Sequence, residues 1–179
     1  VGAPTGQGLR RMDIMAFFRW TLPTLQKVFP EFPARIQVVG ADDPMWRGAL
    51  SGPGSLFVHS DRPMISENAT STFIHELVHV AMRAKSAPGS DWIVEGLAEY
   101  YSLEALHRSG TVSTARFEQA HRTLADWAAR EAGPLDAPRS SGATTARAVG
   151  VLRKVDAEIR AASGGRQSLD NVVADLAAQ

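Results

Sequence analysis

At 179 residues, with 44% hydrophobic and 21% charged residues, the chain has the length and composition of one folded domain with a real core, which excludes wholesale disorder. Nineteen Lys and Arg balance nineteen Asp and Glu, for a formal net charge of +0, so no basic field draws nucleic acid, and no such partner is expected. The lack of cysteine excludes disulfides and thiolate metal sites, leaving His, Asp and Glu as metal donors.

The first residues, VGAPTGQG, have neither the charged nor the apolar region of a signal peptide, and the chain does not begin with Met. That start reads as a processed product, and an exported protein, periplasmic or secreted, is the expectation if a signal has been removed. No apolar run approaches the length of a membrane span, so membrane insertion is not expected. Nothing in the sequence sets an oligomeric state.

From Leu9 to Phe29, Met12, Met15, Phe18, Leu22, Leu25 and Phe29 recur at three- and four-residue steps, predicting an amphipathic helix bent near Pro23 with that stripe in the core. RIQVV (35–39) and SLFVH (55–59) read as two short strands, separated by a turn-rich stretch with Pro44, Gly48, Gly52, Pro53 and Gly54. A helix capped by Asn68 or Thr70 is predicted through FIHELVHVAMRAK, ending before Pro88. Asp91 is placed to cap WIVEGLAEYYSLEALHR, and Ser113 or Thr114 to open a third helix reaching about Arg130. The stretch 133–145 reads as a loop, followed by a helix over about Thr145 to Ala162 and a last short one capped by Ser168.

The chemistry lies in His75-Glu76-Leu77-Val78-His79. On a helix the two histidines stand about 40° apart and one turn displaced, so both imidazoles reach one ion, while Glu76 lies about 60° from His79 and can touch water there without being a ligand. Phe73, Ile74, Leu77, Val78 and Val80 make this helix apolar almost all round and hence buried, and a buried His-Glu-His group needs partners. Zn2+ is the expected cofactor. A third ligand is expected from the next helix, where Glu95 and Glu99 share a face; spacing alone supports either.

HELVH followed by WIVEGLAEYY resembles the gluzincin metallopeptidases, especially the aminopeptidase N and glycyl aminopeptidase families. The resemblance implies that Glu95, just before Gly96, is the third zinc ligand and that Glu99 orients His75. It further implies an α+β, mainly α-helical, thermolysin-like zincin catalytic domain; the likeness covers about residues 30–178, with strong motifs between 75 and 101, and the chain's length makes 1–179 a single domain. Within it, helix plus small sheet would occupy 1–68, the zinc-binding helix pair 69–109 and C-terminal helices 110–179. AVGVLRKVDAEIRAASGGRQSLDNVVADLA (148–177) is similar to the glycyl aminopeptidase tail, and the strand 55–59 resembles the edge strand that binds extended peptide. The expected reaction is hydrolysis of a peptide or protein substrate with Glu76 as general base.

Two departures from the family pattern bear on activity. The Tyr that supports the oxyanion in those families falls here on Arg147, in TTARAVG; a guanidinium there, or His121 by analogy with zinc peptidases that use a histidine donor, is the candidate replacement. The only tyrosines, Tyr100 and Tyr101, point away from the ligand face of their helix. Ser51 stands where the aminopeptidases carry the acid that grips a free amine, with Asp42, Asp43 and Asp61 as nearby alternatives. The contrasting expectation is a degenerate metallopeptidase that keeps zinc and acts as a binding or scaffolding module; the retained Glu76 argues against it.

Overall fold

In the computed structural model, residues 1–6, 8–42 and 48–178 are described. Among them lie six helices and a three-stranded sheet, a mainly helical α+β arrangement. The first helix, α1 (Arg11–Val28), keeps Pro23 within it. Its buried face is Ile14, Phe17, Phe18, Thr21, Leu25 and Val28, whereas Met12 and Met15 are 79% and 55% exposed. The expected core stripe is corrected accordingly. α1 carries more apolar positions than one face can bury, and the Ile14 and Phe17 side turns inward.

The sheet comprises β1 (Gln37–Ala41), β2 (Ala49–Gly52) and β3 (Ser55–His59) in the order β1-β3-β2, with β1 parallel and β2 antiparallel to β3. β2 was not expected, because its four residues lie inside the turn-rich stretch. Those turn residues bound a tight hairpin: Gly52 pairs with Ser55 across Pro53-Gly54, and Gly54 has a φ of 63°, the left-handed conformation that such a short loop needs. A second correction follows. β3 is the central strand, paired on both sides, so its edge is not free for a peptide; among the described residues the unpaired edge beside α2 belongs to β2.

α2 (Thr72–Met82) starts at an N-cap Ser71, whose Oγ accepts from the Ile74 amide at 3.3 Å, rather than at Asn68 or Thr70. It ends well before Pro88 because Arg83 turns left-handed at φ 53° while its amide bonds the His79 carbonyl. Ile74, Leu77 and Val78 are wholly buried. α3 (Asp91–Arg108) has Ser90, not Asp91, at its N-cap; Asp91 instead accepts from the Ser140 amide and the Ser86 hydroxyl. α4 (Thr114–Glu131) is capped by Ser113, α5 (Gly142–Ser163) by Ser141, and α6 (Leu169–Ala177) by Ser168 within a capping box. No described helix is long and apolar enough to cross a membrane.

α3 is the hub, packing on α1, α2, α4 and α5. At Gly96 a Cβ would come within 2.6 Å of the Ala148 Cβ and 3.2 Å of Leu152 Cδ1, so the missing side chain lets α3 lie close on α5. α2 in turn packs on β2 and β3, which brings the β2 edge alongside the histidine face.

Candidate metal centre

Three contacts fix how α2 and α3 face one another. Ser102 Oγ donates to the Ser71 carbonyl at 3.1 Å, His75 Nδ1 meets Glu99 Oε2 at 2.9 Å, and His79 Nε2 meets Glu95 Oε1 at 3.5 Å. Rising numbers on α2 meet falling numbers on α3, so the helices run antiparallel, and turn-by-turn steps on one meet similar steps on the other. The hydroxyl–carbonyl bond is fully buried and pins the hairpin at the end away from Glu95.

His75, His79 and Glu95 each offer one donor atom, and these lie within 4.8 Å of one another. The Nε2 atoms of the two histidines are 3.1 Å apart, and Glu95 oxygens lie 3.2 Å from His75 Nε2 and 3.5 Å from His79 Nε2. Donors about 2.0–2.1 Å from a tetrahedral zinc ion stand about 3.3 Å from each other. The three residues therefore fit the ion as a donor set.

Burial works against a charged His75, but hydrogen bonds to Glu95 and Glu99, reinforced by Glu76, outweigh it and raise its pKa to about 10. Hydrogen bonds from His75 and His79 hold the Glu95 carboxyl far below the usual carboxylate range. Glu99, with its side chain 14% exposed, holds Nδ1 and so leaves Nε2 turned to the cluster. Glu76 is half-buried and takes no hydrogen-bond or ion-pair partner among the described residues.

This cluster forms one wall of a cleft of about 1060 Å³, lined also by Glu76, Val80, Arg83, Lys85, Val94 and the β2 hairpin from Leu50 to Gly54. Arg147 and His121 are not among its lining residues. Arg147 is exposed on α5 and donates to the Gly133 carbonyl at 3.3 Å. His121 is buried on α4, edge-on to Phe117 with ring centres 4.5 Å apart, and its Nε2 has no partner among the described residues. Burial, then Arg153, lowers its pKa to about 4. Tyr100 and Tyr101 are 1% exposed in the core, and Tyr101 donates to Asp170 at 3.1 Å.

Ser51 does line the cleft, while Asp42 and Asp61 do not, and Asp43 lies outside the described residues. Arg83 and Lys85 were not anticipated. The signal for Arg83 was its place four residues after His79, at the end of the same helix.

Compared with known proteins, the sequence matches no family model and no curated protein. The fold does match. An aminopeptidase N family protein from Idiomarina loihiensis, known from its crystal structure, superposes with a TM-score of 0.73 at 17% identity, over 98% of this chain and 38% of that one. At that identity the likeness is one of fold, and this chain spans well under half the length of that protein.

Proposed function

We propose that the protein is a zinc-dependent peptidase, with His75, His79 and Glu95 as the ligands and Glu76 as the general base. The observation that carries this reading is the convergence of His75, His79 and Glu95 donors within 4.8 Å, in the wall of an open cleft that Glu76 also lines. The fold likeness to an aminopeptidase N family protein supports it.

When bound, zinc would supply Lewis acidity that polarises a carbonyl and acidifies water. Glu76, whose carboxylate is uncommitted, takes the proton from the attacking water and delivers it to the leaving amine nitrogen. Glu99 holds the His75 ring in the tautomer that presents Nε2. The free β2 edge, at Leu50 to Gly52, offers unpaired backbone groups to which an extended peptide adds as a further strand.

A second reading, a degenerate peptidase that binds without cleaving, is favoured by one specific observation: no tyrosine, Arg147 or His121 lines the cleft, and an absent oxyanion donor costs about a hundred- to a thousandfold in rate. Metal content and turnover of mixed peptide libraries decide between the two. One zinc per chain, with turnover falling about a hundredfold or more in Glu76→Gln at unchanged metal content, is the expected result. Metal held equally by parent and variant with no cleavage by either would establish the binding module.

A further inference from the structure

We infer that the cleft selects peptides carrying a carboxylate one or two residues from the scissile bond, and that Arg83, assisted by Lys85, reads it. This rests on the peptidase reading above.

Charge is the first observation. Among the described residues, the carboxylates lining the cleft are Glu76 and Glu95; Glu95 is held by both histidines, and Glu76 borders the same cluster. The remaining charged lining residues are Arg83 and Lys85. Both are exposed, and neither side chain has a hydrogen-bond or ion-pair partner among the described residues. Asp91, an acid on the neighbouring helix, is occupied by Ser86 Oγ and the Ser140 amide. Among the described residues, Glu76 is the one lining acid without a partner, and the proposed reaction engages it at the attacking water, so Arg83 and Lys85 are the charges left to meet a substrate side chain.

Position is the second. Glu76 and His79 lie about 60° apart around α2, and Arg83, the residue that caps the helix, lines the same cleft with its backbone about 6 Å further along the axis than that of His79. An extended peptide advances about 3.3 Å per residue, so a carboxylate bound there sits one or two residues from the bond held at the histidine cluster. Guanidinium takes a carboxylate through paired N–H donors, which a lysine cannot reproduce.

Backbone conformation is the third. Arg83 closes α2 in the left-handed region, φ 53°, a position that helices ordinarily give to Gly or Asn because a larger side chain is strained there. An arginine held in glycine's place, with its side chain at a cleft, is strain located where ligand contact is available.

The test uses the zinc-loaded protein and matched fluorogenic peptides bearing Glu, Gln or Lys at each of the two positions flanking the bond on either side, each as free acid and as C-terminal amide. The expected kcat/KM for a Glu peptide is about tenfold above its Gln isostere, with Lys lowest and the preference shrinking at high salt. Retention of the preference in the amides assigns it to a side-chain carboxylate; its loss assigns it to the chain terminus. Arg83→Gly is expected to bring the Glu-to-Gln ratio close to one with a thermal midpoint no lower than the parent's, and Arg83→Glu to turn the preference towards Lys.

Equal cleavage of Glu and Gln peptides, or a ratio that survives Arg83→Gly, overturns the inference and leaves the peptidase reading standing. If no peptide is cleaved, that reading fails, and fluorescence anisotropy of the same peptides on Glu76→Gln protein decides. Tighter binding of Glu peptides that Arg83→Gly removes supports the inference, and equal or undetectable binding overturns it.

Discussion

Glu99 acts through His75, and its removal is the most direct probe of how the proposed ligand set is held. Glu99→Ala leaves all three donors in place and frees the ring held at 2.9 Å through Nδ1. Zinc affinity measured by chelator competition should drop about ten- to a hundredfold, and Glu99→Gln, which still accepts a hydrogen bond, should restore part of it. His121 makes a separate prediction. Its pKa is about 4 in the folded chain, against an ordinary 6.5, so the unfolded chain binds the extra proton first. Stability is therefore full above about pH 6.5 and is lost as pH falls towards 4. Arg153 and His107 oppose that proton and Glu118 favours it. After allowing for solvent screening, the loss is about 2 kcal/mol. Urea midpoints at pH 7 and pH 4.5 should show His121→Leu losing less than the parent over that interval; an identical loss in both would remove His121 as its source.

At the scale of elements, the site depends on how closely α3 can approach α5. Gly96 sits next to Glu95, and the Cβ of an alanine there would meet the Ala148 Cβ at 2.6 Å. Gly96→Ala must move α3, and with it the Glu95 carboxylate, relative to His79. We expect overpacking of about 1–3 kcal/mol in thermal unfolding, together with weakened zinc binding, even though the substitution adds no polar group and touches no ligand. The helix ends capped by Ser113 and Ser168 were legible in sequence because a side-chain cap leaves a local signature. The β2 strand was not, because four residues that end on a glycine show no usable alternation. The inward face of α1 was ambiguous because two apolar stripes overlap on it. The pairing of His75 with His79 was legible because helical periodicity converts spacing into proximity, whereas spacing left Glu95 and Glu99 equal and the choice of Glu95 came from the resemblance of WIVEGLAEYY to the gluzincins. The distances of Arg147 and His121 from His75 and His79 depend on how separate helices pack, which no local pattern encodes. The β2 edge beside the cleft was hidden for the same reason.

For the whole molecule, a formal charge of +0 conceals an uneven surface, since the cleft mouth gathers two uncommitted cations. The proposed zinc also couples the site to global stability, because an ion bound to the folded chain alone raises the unfolding free energy. At a thousandfold excess over its dissociation constant that gain is about 4 kcal/mol, or roughly 8–16 °C for a domain of this size. Chelation should lower the melting temperature by such an amount and zinc should restore it, whereas a His75→Ala, His79→Ala double variant should melt alike in both conditions. The antiparallel pairing of α2 with α3 has a consequence for how the molecule is made. The three proposed ligands, Glu76 and Glu99 all fall between residues 75 and 99, so their contacts belong to the short-range set that forms fastest in a folding chain. During synthesis the complete donor set has left the ribosome once α3 has emerged, while α4, α5 and α6 are still to come. The proposed ligands are thus all made before α5, the helix whose packing on α3 sets how Glu95 sits against the histidines.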